Sequence, residues 1–104
     1  MRIKPYLIII LMIAVVSCQN ENSRLGDEYF EAGKYEKAIE AYNEFLTLNP
    51  RHVKTIYNRG RCYEELGKKD EALAGFNTVL GLDANNENAL ISLGQVFSRK
   101  GDFK

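Results

Sequence analysis

Tryptophan is absent from this 104-residue chain, and histidine occurs once. His52 stands with no cysteine or paired carboxylate at a ligand spacing, which leaves no metal site to expect. Neither sign of charge is in excess, at 14 basic and 14 acidic residues, so no surface is basic enough to follow a phosphate backbone. No zinc-finger or RNA-binding signature appears either, and nucleic acid is excluded as a partner. A glycine-rich phosphate loop and a nucleophile motif are also missing. Glu64 and Glu65 are adjacent, so on a helix they point in different directions and do not make a catalytic carboxylate pair. An active site needs convergent groups with matched roles, and the chain offers none. We therefore expect no enzyme, no cofactor and no small-molecule substrate. The length admits one domain and no second independent core.

What is present divides into a leader and a repeat. "MRIK" supplies two positive charges, and "YLIIILMIAVV" then runs eleven apolar residues from Tyr6 to Val16 before the small Ser17. That order is a signal-peptide pattern. As a helix the run reaches only about 16 Å, against a hydrocarbon core of roughly 30 Å, and is too short for an ordinary membrane span. The four residues that close it, "VVSC" from Val15 to Cys18, resemble the lipobox of bacterial lipoproteins. By that resemblance residues 1–17 are cleaved and Cys18 becomes the lipidated first residue of an 87-residue mature chain with 12 basic and 14 acidic residues. Gln19 follows it, where inner-membrane retention in enteric bacteria uses aspartate, so the resemblance favours the outer membrane of a bacterial cell envelope. The alternative for Cys18 is a disulfide with Cys62 in an oxidising compartment. Cys62, however, falls at a helix position suited to a small buried hydrophobe.

After Cys18 the chain repeats itself. Gly26, Gly60 and Gly94 are 34 residues apart, and so are Gly33, Gly67 and Gly101. Tyr29, Tyr63 and Phe97 keep the interval, as do Ala38 and Ala72, Tyr42 and Phe76, and Leu48 and Leu82. A fixed period of this length marks a stacked-repeat architecture. The pattern resembles the tetratricopeptide repeat, a helix-turn-helix unit. Leu25, Gly26, Tyr29, Gly33, Ala38, Tyr42 and Pro50 match it in the first unit, and Gly60, Tyr63, Gly67, Ala72 and Phe76 in the second. Arg59 and Ala84 depart from the family's leucine and proline, and Asn22, Ile56 and Leu90 occupy its tryptophan position. The expected fold is thus all-α, with antiparallel helix pairs stacked as a short solenoid of about two and a half repeats. Their bounds are 19–52, 53–86 and a partial 87–104, all within a domain of residues 18–104.

The residue types make physical sense without the family. Glycine inside a helix costs about 1 kcal/mol relative to alanine, so Gly26, Gly60 and Gly94 require a packing reason, the close approach of a second helix. Ala38 and Ala72 serve the same approach from the other side, and aromatics fill the space around it. Gly33 and Gly67 suit inter-helix turns, and Pro50 ends a helix. Helices are predicted over 22–32, 36–48, 53–66, 70–82 and 87–100, with Asn86 or Asn88 capping the last. In that last helix Leu90, Leu93 and Phe97 are expected to face the preceding unit, and Ile91 and Val96 to lie elsewhere.

The resemblance implies that the first helix of each unit lines a concave ligand surface. Carried over position by position, its candidates are Asp27 and Glu31, then Lys54, Tyr57, Arg61, Glu64 and Glu65, then Asn88, Gln95 and Ser98. Tyr57 and Arg61 are singled out, being four apart on one helix face and of types that anchor interfaces. Some chaperone-binding members clamp a terminal carboxylate with lysine and asparagine. Here Ser23 and Asp27 stand in the first unit's places and only Asn58 fits, so that ligand is not expected. The function implied is a lipid-anchored scaffold binding a protein or peptide at the cell envelope. The alternative is a soluble or transmembrane-anchored adaptor whose leader is retained. Because Gly94 keeps a gap for a partner helix and "GDFK" reads as the start of one, residues 1–104 are expected to be the front of a longer array.

Overall fold

The computed structural model describes residues 23–101. The leader 1–17, Cys18 and Asn22 lie outside the described residues, as do 102–104. The described chain holds five helices and no strand: α1 from 23 to 31, α2 Tyr35–Leu48, α3 Val53–Glu65, α4 Lys69–Leu82 and α5 Glu87–Gly101. The boundaries that fall inside the described residues, from the end of α1 to the start of α5, lie within one residue of those expected. α2 packs on α3, α3 on α4, and α4 on α5, as in a one-dimensional stack in which each layer is buried only by its neighbours.

The turns within the two helix pairs are built alike. Gly33 and Gly67 have φ of 74° and 76°, the left-handed region that an L side chain rarely adopts. Around each, the chain closes with a paired carbonyl motif. Lys34 N–H donates to Tyr29 O and Gly33 N–H to Phe30 O, and Lys68 N–H and Gly67 N–H repeat this onto Tyr63 O and Glu64 O. These bonds satisfy carbonyls that a helix end would leave unpaired. At α5 the Asn86 carboxamide oxygen accepts from Ala89 N–H at 3.0 Å, an N-cap.

The core lies where the helix faces meet. Between the first and second units, Ala38, Ile39 and Tyr42 of α2 close on Cys62 of α3, with Tyr29, Phe30, Tyr35, Tyr63 and Leu66 around them. Between the second unit and α5, Ala72 and Phe76 close on Leu93 and Val96. A third cluster, Phe45, Leu46, Ile56, Val79 and Ala89, joins the helix ends beside the inter-unit turns. Burial pushes the Cys62 thiol up to about 12, so it is a neutral hydrophobe, and it is free of any disulfide.

The glycine register has a direct geometric cause. A Cβ on Gly26 would lie 2.5 Å from Cδ1 of the Tyr42 ring, and one on Gly60 would lie 2.8 Å from Cε1 of Phe76. α3 and α4 come close enough that a Cβ on Gly75 would be 3.4 Å from the Gly60 Cα. Gly75 has Ala41 as its counterpart in the first unit, so no repeated glycine marks it in the sequence.

α5 corrects one expectation. Ala89, Ser92, Leu93 and Val96 face the preceding unit and are buried, while Leu90 and Phe97 turn outward, 51% and 56% exposed. The stripe containing 90, 94 and 97 is the counterpart of Ile56, Gly60 and Tyr63, which in α3 lie toward α4 of their own unit. Val96, expected elsewhere, is 1% exposed. His52 also differs from a purely solvated turn residue. Its Nδ1 lies 2.7 Å from the Thr55 hydroxyl, and its ring stands edge-on to Phe45 at 5.0 Å.

Candidate ligand-binding groove

The groove is built on the side of α3 and α5 that the intra-unit helices leave uncovered. A cavity of about 210 Å³ lies there, lined by Tyr57, Arg61, Glu64 and Glu65 of α3 and by Asn88, Ile91, Ser92, Gln95 and Arg99 of α5. Six of these, Tyr57, Arg61, Glu64, Glu65, Asn88 and Gln95, are sequence candidates. Ser92 and Arg99 are additions, and each ties the two walls together. The Tyr57 and Ser92 hydroxyls are 2.9 Å apart, and an Arg99 Nη1–H donates to Glu64 Oε2 at 3.2 Å. Ser92 sits 34 residues after Asn58 and was therefore readable in register. Arg99 sits 34 after Glu65, itself a candidate, and was readable in the same way.

Tyr57 is rooted in the core. Its ring lies 5.5 Å from that of Phe76, and it packs against two of the buried clusters. The hydroxyl end reaches the groove, giving the floor a rigid aromatic with a polar tip. Arg61 is less free than its sequence position implies. Its guanidinium stacks on Phe30 of α1 at 5.2 Å from the ring centroid, a cation–π contact that also braces α1 on α3. Asn88 and Gln95 are exposed on the far wall, with amide groups that can donate and accept.

The remaining candidates do not reach this cavity. Asp27 is half-buried: its Oδ1 accepts from the Tyr42 hydroxyl at 2.6 Å and from the Asn58 side-chain amide at 3.3 Å. Burial first, then the Asp27 hydrogen bond, pushes the Tyr42 phenol well above its ordinary range, so it remains a donor. One carboxylate thereby joins α1, α2 and α3. Glu31 is exposed at the end of α1, and Lys54, at the start of α3, and Ser98 of α5 are exposed as well. Among the described residues, no three His, Cys, Asp or Glu side chains gather so as to hold a metal ion. No described helix is long and apolar enough to cross a membrane.

Comparisons with known proteins bear on the fold. A 38-residue stretch is 42% identical to the outer dynein arm-docking complex subunit 4 of Danio rerio, covering 36% of this chain and 8% of that protein. A 44-residue stretch is 39% identical to the Hsp70-Hsp90 organizing protein of Triticum aestivum, covering 42% and 8%. The matched stretches thus span under a tenth of these relatives' length. Among solved structures, the second tetratricopeptide domain of Spaghetti, bound to the HSP90 peptide SRMEEVD, superposes with a TM-score of 0.75 at 25% identity, over 80% of this chain and 77% of that one. Residues 23–89 match the tetratricopeptide repeat family model, which is more than half of the sequence. The chain belongs to the tetratricopeptide repeat family.

Proposed function

We propose that this protein is a membrane-tethered scaffold that holds a segment of another protein in the groove between α3 and α5. The observation that carries the reading is the cavity itself, with a rigid Tyr57 floor, a braced Arg61 and the unburied amides of Asn88 and Gln95. Such a mixture suits an extended peptide, whose backbone offers both donors and acceptors along its length. The peptide-bound relative supports the same use of the fold.

An acidic peptide of the SRMEEVD type that ran beyond the cavity toward α1 would fit poorly there. Asn58, the amide that would meet a ligand carboxylate, already donates to the chain's own Asp27, and Glu31 adds a second negative charge on the same helix. Partners with neutral or basic residues at that end fit better. The tether rests on the basic-then-apolar leader ending in "VVSC", with Cys18 as the lipid attachment point and the outer membrane as the favoured location. Two or more acyl chains anchor a protein stably.

Two measurements test the reading. Pull-downs from detergent-solubilised membranes should recover a partner with wild type and lose it with Asn88→Ala and Gln95→Ala together, exposed changes that leave the core alone. Recovery unchanged by the double substitution would rule the groove out. The mass of the purified N-terminus should show a diacylglyceryl Cys18; an intact Met1 overturns the lipid tether and supports a retained leader.

A further inference from the structure

In the groove between α3 and α5 a largely enclosed carboxylate is paired with a largely exposed cation. The Glu64 side chain is 11% exposed, whereas that of Arg99 is 66% exposed. Their contact is a single bond, from Arg99 Nη1–H to Glu64 Oε2 at 3.2 Å, and it uses one of about four lone-pair positions on the carboxylate. The second arginine of the groove is committed elsewhere, since the Arg61 guanidinium lies over the Phe30 ring. With both guanidinium groups engaged inside the chain, the remaining lining is rich in acceptors: two carboxylates, the Tyr57–Ser92 hydroxyl pair, and the amide oxygens of Asn88 and Gln95. The cavity of about 210 Å³ equals roughly seven waters at ~30 Å³ each, the room of one long side chain.

We propose that this cavity recognises an arginine of the partner segment, whose guanidinium takes the Glu64 carboxylate in place of Arg99. The proposal rests on the reading of the groove as the ligand site and names what enters it. An arginine brings five N–H donors and no acceptor in a planar fork, which meets a carboxylate with two bonds at once. Arg99 makes one. Solvent screens an exposed ion pair, and holding a long side chain in one geometry costs entropy, so Arg99 leaves Glu64 at little expense. The incoming guanidinium is instead enclosed by the groove walls, where its bonds strengthen as water is excluded. Lysine is the poorer fit, because an ammonium is more strongly hydrated and acts as a point charge rather than a fork. Arg99 is thus an internal stand-in, which neutralises an enclosed carboxylate that would be costly alone and competes with the ligand for it. The converse, an acidic residue taken by Arg99, would strip Glu64 of its partner.

The probe is the peptide acetyl-Gly-Ser-Arg-Ser-Gly-amide, titrated at low salt into the nitrogen-15-labelled full chain in detergent and followed by backbone amide shifts. Peptides with citrulline, the uncharged isostere, or glutamate in place of arginine are the controls. Saturable shifts at Ser92 and Gln95 are expected, and Glu64→Gln in the protein or citrulline in the peptide should weaken them about tenfold or more. Arg99→Ala should tighten binding about threefold, by removing the competitor. A merely structural ion pair would lower the melting temperature in both variants and could not give that gain. No saturable shift overturns the proposal, as does equal binding of the citrulline peptide or weaker binding to Arg99→Ala. Tighter binding of the glutamate peptide overturns it in favour of an acidic ligand. The partner pull-down separates this from the groove reading: recovery lost with Asn88→Ala and Gln95→Ala together, but unchanged by Glu64→Gln, overturns the arginine and leaves the groove standing.

Discussion

α3 and α5 carry the same stripe of residues 34 positions apart, yet one is core and the other is surface. In α3 the stripe of Ile56, Gly60 and Tyr63 lies toward α4, with Phe76 wedged against the glycine. In α5 the stripe of Leu90, Gly94 and Phe97 faces outward. Nothing intrinsic to the two helices separates them; the neighbour does. The difference shows how a repeat sequence encodes an interface before it encodes a fold. Each unit displays one surface toward the unit before it and another toward its own second helix, and burial arises only where both sides are present.

Substitutions at matched positions sharpen that contrast. Phe76→Ala empties a wholly buried site and is expected to cost about 3–5 kcal/mol, measured by urea unfolding. Phe97→Ala should stay within about 0.5 kcal/mol of wild type. Equal losses from the two would mean that α5 is covered in solution. Next in size is Gly60→Leu, which drives a side chain into the Phe76 ring and should cost about 1–3 kcal/mol or more through overpacking. Gly94→Leu should leave the melting temperature unchanged or raise it.

Gly67→Ala has no steric neighbour, but its left-handed backbone should cost about 1–2 kcal/mol in the same assay. One further effect has the opposite sign. Gly94→Ala should stabilise by about 1 kcal/mol, because helix propensity is the only term in play at an open site. A destabilising Gly94→Ala would show that a close neighbour exists there after all.

The architecture was legible because its signal is periodic. Gly26 and Gly60, Tyr42 and Phe76, and Ala38 and Ala72 recur at one interval, and that interval sets the helix pairs, their turns and their bounds. Features that depend on a single pairing left no such trace. The Tyr42–Asp27–Asn58 bonds span 15 and 31 residues and belong to the first unit alone, since the second has Phe76 and Arg61 in the corresponding places. Asp27 therefore read as a free groove residue when it is an internal tie. The orientation of α5 was misjudged for another reason. Two adjacent faces both carry apolar residues, and the buried one contains Ala89 and Ser92, which do not look like core, while the outer one contains Leu90 and Phe97, which do. In the groove, Tyr57, Gln95 and Arg99 were all reachable by register, Arg99 as the counterpart of Glu65, whereas the Arg99–Glu64 pairing across the walls was not.

Cys62 gives the molecule a built-in clock. It is wholly buried at the joint between the first and second units, and its thiol is held up to about 12 against an ordinary 9.0. Only the thiolate alkylates at a useful rate, so the folded form should be inert to iodoacetamide at pH 8. Reaction then reports moments when α2 lifts from α3, and its rate relative to the unfolded chain measures how often that joint opens. The sign of the pH effect follows from the raised value. The neutral thiol's contribution to stability is complete below about pH 9 and is lost as pH climbs toward 12. A ligand that spans α1 and α3 should slow this clock without touching the cysteine, so occupancy of the concave face becomes readable as seconds or hours of thiol survival.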